Sequence, residues 1–245
     1  MSPSEKVKYI SNWIKSYVDK MPTKAESLVI GISGGIDSSV SSTLSAMTGL
    51  KTIVLSMPIK QINHQHDLSL KHQDWLVKKF NNVQAHTISL DKLFESFSST
   101  LSKFNNEHGF ANSRARLRMT TLYQVAAANK GIVVGTGNKV EDFGVGFYTK
   151  YGDGGVDISP IADCNKTEVW ELGKELGILK EIIDAPPTDG LWDDGRTDEG
   201  QLGFSYNELE DAMSNPDSPH KAEYEKIRKQ NLHKMEPIPV CKIPS

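Results

Sequence analysis

Asp37 stands inside a glycine turn, where an acid is electrostatically out of place unless a cation accompanies it. The stretch Leu28-Val29-Ile30-Gly31-Ile32-Ser33-Gly34-Gly35-Ile36-Asp37-Ser38-Ser39 runs from an apolar strand-type segment through glycines into a helix start. Gly31, Gly34 and Gly35 admit backbone conformations closed to other residues and let main-chain N–H groups approach an anion. Ser38 and Ser39 open a helix whose free N–H groups and positive dipole end face the same place. The pattern fits a polyphosphate-binding loop, and a carboxylate among phosphate oxygens needs a cation between them, which points to Mg²⁺ on a nucleotide. A Walker loop has Lys where this chain has Asp37, so the usual P-loop NTPase reading fails. A strand-to-helix turn with a Ser/Asp cap is the plainer alternative.

Glu141 ends a second strand-to-loop turn and can share that cation with Asp37, or serve only as a helix cap. Lys150 beside Tyr151-Gly152-Asp153-Gly154-Gly155 reads as a bare-backbone cradle for a second bulky anion, or as a mobile turn. Arg114, Arg116 and Arg118 are spaced by two and cannot share one helical face, which leaves Arg116 as a separate phosphate or carboxylate candidate while Arg114 and Arg118 face solvent. His64-x-His66 lacks an evident third ligand and reads as a polar loop.

The elements that must position these residues alternate. Ser2-Pro3-Ser4-Glu5 is a capping box with Pro at the first helical position, followed by Val7, Ile10, Ile14, Tyr17 and Val18 at helical spacing. After the glycine loop, Val40, Leu44 and Met47 mark a helix face that Gly49 stops. Thr52–Leu55, Val83–Ile88 and Gly131–Gly135 read as further strands. Between them, Asp67 caps a helix with Leu68, Trp75, Leu76 and Phe80 inward. Leu90, Leu93, Phe94, Phe97, Leu101 and Phe104 form a stripe expected to be core, and after a break over Asn105–Ala111 a helix runs from Arg114 to Ala128. This order predicts a doubly wound, mainly parallel sheet with helices on both faces, and ligands beyond the carboxyl ends of its strands. Asn165-Lys166-Thr167-Glu168 caps a later helix, Asp184 to Gly203 is long enough for a lid or binding loop, and a last helix spans Ser218 to about Lys234. The whole chain, 1–245, is expected to be one domain with a loop-rich and helical C-terminal elaboration.

The balance of 28 basic against 31 acidic residues, a net charge of −3, leaves no electrostatic footprint for nucleic acid or an anionic membrane. Cys164 and Cys241 form no CxxC pair, which argues against a zinc ribbon or disulfide framework. No apolar run approaches the roughly 20 residues of a membrane span, and the N-terminus lacks a signal-peptide core. A cytoplasmic protein is expected.

Ser33-Gly34-Gly35-Ile36-Asp37-Ser38 is similar to the SGGxDS loop of the N-type ATP pyrophosphatases. A longer series resembles the ammonia-dependent NAD synthetases: Asn112–Met119, Gly135–Glu141, Phe147–Gly155, Pro187-Thr188, Thr197-Asp198-Glu199, Leu202–Tyr206 and His233-Lys234. That resemblance covers nearly the entire chain, with Thr149-Lys150-Tyr151-Gly152-Asp153-Gly154-Gly155 its most specific part. It implies a five-stranded sheet of the adenine nucleotide alpha hydrolase-like type. It further implies ATP-dependent amidation of deamido-NAD to NAD by ammonia, through an adenylated carboxyl, with release of AMP and pyrophosphate.

By position, Gly31, Ile32, Ser33, Gly34, Gly35, Ile36, Asp37, Ser38 and Ser39 would hold the ATP phosphates, and Thr136, Lys166 and Thr188 would also contact ATP. Asp37 and Glu141 would bind Mg²⁺. Arg116, Lys150, Asp157, His233 and Lys234 would contact deamido-NAD near a homodimer interface. Asp37, Lys166 and Asp153 are the expected catalytic residues, Asp153 as the group that helps desolvate or deprotonate ammonium. Some relatives carry Asp-His where this chain has Gly137-Asn138. A glutaminase domain is not expected, so free ammonia is the expected nitrogen source. Another SGGxDS ligase, such as a tRNA-modifying enzyme, would call for a basic appended surface, and a nucleotide sensor would need no second-substrate pocket.

Overall fold

The structure is a computed structural model that describes residues 1–60, 63–188 and 197–244, with only the backbone described at 63–65. Helix α1 (Pro3–Lys20) begins with the expected reciprocal cap, in which the Glu5 amide donates to Ser2 Oγ and the Ser2 amide donates to Glu5 at 2.7 Å. Four strands follow in one sheet: β1 (Ser27–Gly31), β2 (Lys51–Ser56), β3 (Val83–Thr87) and β4 (Gly131–Val133). Their order is β3-β2-β1-β4 and every pairing is parallel.

Strand alternation divides the core between the two faces. Leu28, Ile30 and Val54 point to one face, where they meet α1, α2 (Ile36–Met47), α3 (Asn63–Lys79) and, from later in the chain, the helix at Lys166–Leu176. Val29, Ile53 and Leu55 point to the other face, against α4 (Asp91–Thr100) and α5 (Glu107–Ala128). Each fully buried aliphatic side chain in these layers contributes about 1.5–3 kcal/mol. The Lys166–Leu176 helix is α6, and α7 (Lys180–Ile183), α8 (Asp198–Leu202), α9 (Tyr206–Ser214) and α10 (Lys221–Met235) follow. A third cluster, with Val140, Val145, Tyr206, Leu209 and Tyr224, joins α9 and α10 to the segment after β4.

Several expectations are corrected. The sheet has four strands among the described residues, not five: beyond β4 only a single parallel bridge forms, between Val134 and Ile158. The reason lies in Asp157, whose Oδ2 takes the Val133 amide at 2.7 Å where a fifth strand would offer a carbonyl. The stripe from Leu90 to Phe104 is not all core. Leu90 and Phe94 are buried, but Leu93 in the first turn of α4 is exposed, and so is Phe104, because the helix ends at Thr100 and a 3₁₀ turn at Ser102–Phe104 carries the last aromatic outward. Tyr17 and Met47 are likewise exposed. Helix α5 starts at Glu107, not Arg114, because Asn106 accepts from the Gly109 amide at 2.7 Å and caps it inside the presumed break. Helix α3 starts ahead of Asp67, so His66 lies on a helix and not in a loop. No helix among the described residues is long and apolar enough to cross a membrane.

Candidate active site

The glycine loop leaves β1 and enters α2 at the carboxyl edge of the sheet. Gly34 has φ +92°, a left-handed conformation that favours glycine, and Gly35 caps α2. The serines set the loop's shape. Ser38 Oγ accepts from the Ser33 amide at 3.2 Å, the Gly35 amide donates to Ser33 Oγ at 3.2 Å, and Ser39 Oγ donates to the Gly35 carbonyl at 2.9 Å. The loop is therefore held by its own side chains.

Asp37, in the first turn of α2, meets Lys166 from the first turn of α6. The Lys166 ammonium lies 2.6 Å from Asp37 Oδ2 and 2.8 Å from Glu141 Oε1, and the residue is 1 % exposed. Glu141 rides on a π-helical segment, Lys139–Val145. Asn138 caps that segment by accepting from the Val140 and Glu141 amides at 3.0 Å, and its amide nitrogen donates to Asp37 Oδ1 at 3.0 Å. Tyr206 Oη donates to Glu141 Oε1 at 2.6 Å.

Charge follows from this geometry. Burial alone would depress the Lys166 ammonium, but Asp37 and Glu141 outweigh it and hold the group above its ordinary value. Burial pushes Asp37 up, Lys166 offsets this only in part, and the charge of Glu141 adds to the rise. Burial also acts on Glu141, yet Lys166 and the Tyr206 hydroxyl hold it below the ordinary carboxylate range. Asp142 is pushed well up by burial and by Asp153, Glu141 and Asp37. Its carboxylate lies over Gly137, where an added Cβ would stand 1.9 Å from Oδ2, so the space that a side chain at 137 would fill already holds an acid.

These groups open into one cleft of about 230 Å³. It is lined by Gly31, Ile32, Ser33, Gly35, Ile36, Asp37 and Ser38 of the loop, with Met57, Thr136, Glu141, Asp142, Asp153, Lys166, Thr188 and Asp198 among the others. Gly34 and Ser39 shape the loop without lining the cleft. Arg118, expected to face solvent, lines the cleft and donates from Nε to the Met57 carbonyl at 3.1 Å, while Arg116 donates to the Lys150 carbonyl at 3.3 Å outside it. Lys150 Nζ donates to the His233 carbonyl at 2.9 Å, and Lys234 Nζ donates to the Gly146 and Tyr148 carbonyls at 2.7 and 2.9 Å. Asp157 accepts from Val133 and, at 3.1 Å, from Tyr123. Asp153 accepts from the Thr149 amide at 2.9 Å, which folds the glycine-rich turn.

Of the Asp184–Gly203 stretch, residues 189–196 lie outside the described residues; on its near side Ala185, Pro186, Pro187 and Thr188 line the cleft, and on its far side Asp198 does. The His64 side chain is also outside them, and His66 Nδ1 lies 3.4 Å from Ser56 Oγ. Asn138 and Tyr206 were missed as site residues. An Asn before a helical segment is a cap signal that sequence carries, whereas nothing in the spacing of Tyr206 announces Glu141.

Mg²⁺ fits these residues. Asp37 and Glu141 flank a single ammonium at hydrogen-bond distance, so both reach one cationic position, and the donors are hard oxygens.

A parallel sheet with a serine-braced glycine loop at its carboxyl edge, and an acid pair locked to a buried lysine, line a cleft at the place where sheets of this kind bind their ligands. Comparison with known proteins narrows this. The family model described as NAD synthase matches residues 6–243. The NH(3)-dependent NAD(+) synthetase of Finegoldia magna is 36% identical, over 92% of this chain and 90% of that protein. The solved NMN synthetase of Francisella tularensis superposes with a TM-score of 0.91 at 35% identity, over 99% of this chain and 100% of that one. The NH3-dependent NAD synthetase of Campylobacter jejuni shares the fold, with a TM-score of 0.79 at 24% identity. The chain belongs to the NAD synthase family, and it is a ligase that forms a carbon–nitrogen bond.

Proposed function

We propose that the cleft converts deamido-NAD to NAD, with ATP and ammonia as co-substrates and AMP and pyrophosphate as co-products. The observation that carries this reading is the convergence on one cleft of the glycine loop, the Asp37–Lys166–Glu141 cluster and Asp153 in its bare-backbone turn. The nicotinate carboxylate attacks the α-phosphorus and pyrophosphate leaves; ammonia then attacks the activated carbonyl carbon and AMP leaves. No protein nucleophile is needed. Mg²⁺, held by Asp37 and Glu141, would supply charge neutralisation at the phosphates. The chain's own part is alignment and electrostatics: the loop at Ser33–Ser38 and the N-terminus of α2 hold the polyphosphate, and Lys166 fixes the two acids. Thr136 and Thr188 contact ATP. Asp153 takes the proton of the incoming ammonium.

The distal half of the dinucleotide would lie toward Lys150, Asp157, His233, Lys234 and Arg116, near a second copy of the chain. The free thiols Cys164 and Cys241 accord with a cytoplasmic setting. A second reading, amidation of the mononucleotide to NMN, is favoured by the TM-score of 0.91 with the Francisella NMN synthetase.

The test is to incubate the pure protein with ATP, Mg²⁺ and ammonium and either deamido-NAD or nicotinic acid mononucleotide, and to quantify NAD, NMN, AMP and pyrophosphate. NAD is expected with the higher kcat/KM. NMN formation alone would establish the second reading, and AMP formation with neither acid would sink both. Gel filtration with light scattering is expected to give twice the chain mass.

A further inference from the structure

We infer that Tyr206 is a positioning residue that orients Glu141 for its cation from a separate layer of the fold. This rests on the reading of Asp37 and Glu141 as the cation ligands. Tyr206 opens α9, is 2 % exposed, and packs edge-on against Trp170 with ring centroids 5.8 Å apart. Its hydroxyl lies 2.6 Å from Glu141 Oε1 and 3.2 Å from Asp198 Oδ2. A phenol has one hydrogen and an ionised carboxylate has none, so a single donation serves two acceptors, and the shorter contact takes it. Glu141 Oε1 also accepts from Lys166 Nζ at 2.8 Å. Two donors therefore converge on one oxygen of Glu141, and together they fix the rotation of the carboxylate.

The backbone under Glu141 explains why such a tie is needed. Glu141 sits on a π-helical segment, a widened turn whose side-chain directions differ from those of an α-helix, and Asn138 caps only its start. The Lys166 ammonium is shared with Asp37 and so cannot orient Glu141 alone. Tyr206 belongs to the third core cluster, with Leu209, Ala212 and Tyr224 and with Val140 and Val145 of the segment that carries Glu141, so several packing partners hold its ring in place. Its amide also donates to Glu199 Oε1 at 3.1 Å, which ties α8 to the start of α9 and holds Asp198 beside the hydroxyl. Partners of this kind outside the metal's own ligands typically change metal affinity or activity by about 10- to 100-fold when removed.

The experiment compares Tyr206→Phe, Trp170→Leu and Glu141→Ala with the wild type in the full-length protein. Tyr206→Phe keeps the buried ring and removes only the hydroxyl; a melting curve verifies its fold. The expected result is an increase of about 10- to 100-fold in the Mg²⁺ concentration for half-maximal synthesis, with kcat largely recovered at saturating Mg²⁺. Calorimetric titration of MgATP, without the second substrate, is expected to show weaker binding by the same factor. Trp170→Leu removes the packing partner and keeps the hydroxyl; it is expected to melt lower without moving the Mg²⁺ requirement. An unchanged Mg²⁺ requirement in folded Tyr206→Phe overturns the inference, as does an equal shift in Trp170→Leu, which would make Tyr206 a packing residue. Glu141→Ala separates the two layers of the argument. If its Mg²⁺ requirement equals that of the wild type, the cation reading fails whatever Tyr206 does; if it rises while Tyr206→Phe stays at the wild-type value, only the role of Tyr206 falls.

Discussion

Lys166→Met removes the buried positive charge that pairs with both Asp37 and Glu141. The ammonium contacts are 2.6 and 2.8 Å, and at an effective dielectric of about 20 each unit-charge pair at that range is worth about 6 kcal/mol before desolvation is subtracted. Most of that attraction offsets the cost of burying three charges. Removing the lysine abolishes the attraction and leaves two acids facing each other, and one-sided breakage of a buried pair typically costs about 3–5 kcal/mol. The acid side chains keep 18% and 15% exposure, so water relieves part of the penalty and the low end, about 3 kcal/mol, is expected. For a chain of this size each kcal/mol moves the midpoint by about 2–4 °C, giving a fall of about 6–12 °C. Differential scanning calorimetry near neutral pH without divalent cations measures it. Added Mg²⁺ is expected to restore the variant more than it stabilises the wild type, and the deficit is expected to shrink in acid as the freed carboxylates protonate. A variant that melts within about 2 °C of the wild type, well inside the shift expected for a chain of this size, would refute the electrostatic reasoning. A deficit insensitive to both Mg²⁺ and pH would reduce Lys166 to a packing residue.

His72 lies under α2, 3.0 Å from Ser42 Oγ, and burial pushes its imidazole down to about 4, with a bond to the Ser39 backbone opposing. The unfolded chain, with the ordinary value of 6.5, takes up the proton first, so stability is intact above that value and is lost as the pH falls toward 4, by about 3 kcal/mol in all. Urea unfolding across that range is expected to show this slope, and His72→Gln to flatten it. Gly146→Ala forces a side chain onto φ +69° with its Cβ 2.6 Å from Asn231 Cβ; a loss of about 1–3 kcal/mol in urea unfolding is expected, with α10 loosened first in hydrogen exchange. Arg118→Ala is expected to raise the KM for ATP about tenfold, the scale of one hydrogen bond to a charged group, while Arg116→Ala leaves that KM unchanged and weakens only the second substrate. The reverse pattern in steady-state kinetics would return the cleft arginine to position 116.

Local features were legible wherever one segment sufficed to produce them. Ser2 and Glu5 cap α1 as their spacing predicts, Glu168 reaches back to the Asn165 amide at 2.8 Å to start α6, and the four strands begin within two residues of their apolar runs. The loop at Ser33–Ser38 lies at the predicted sheet edge because a parallel strand order leaves it nowhere else to go. Failures came where a partner distant in sequence decides. Leu93 and Phe104 carry the helical period of a buried face, but period reports which residues share a side and not whether anything covers that side. Arg116 and Arg118 differ by two positions, and only the seating of α5 against Met57 turns one of them into the cleft.

Asp37 shows where that division falls. Its place after the glycines is written in the chain, and an acid among phosphates already demands a cation by Coulomb's law alone. That Lys166, 129 residues away, reaches it at 2.6 Å follows from the packing of α6 against α2, where Gly173 leaves room for Ile36. Asn138 and Tyr206 complete the cluster from two further segments. Sequence by itself determined the loop, the alternation of strands with helices and the parallel class of the sheet, because short-range propensity and charge act within a few residues. Tertiary structure alone decided which buried acids share one ammonium and which hydroxyl aims Glu141. Those contacts lie between side chains brought together only when the sheet, its two helical layers and the α9–α10 cluster close on one another.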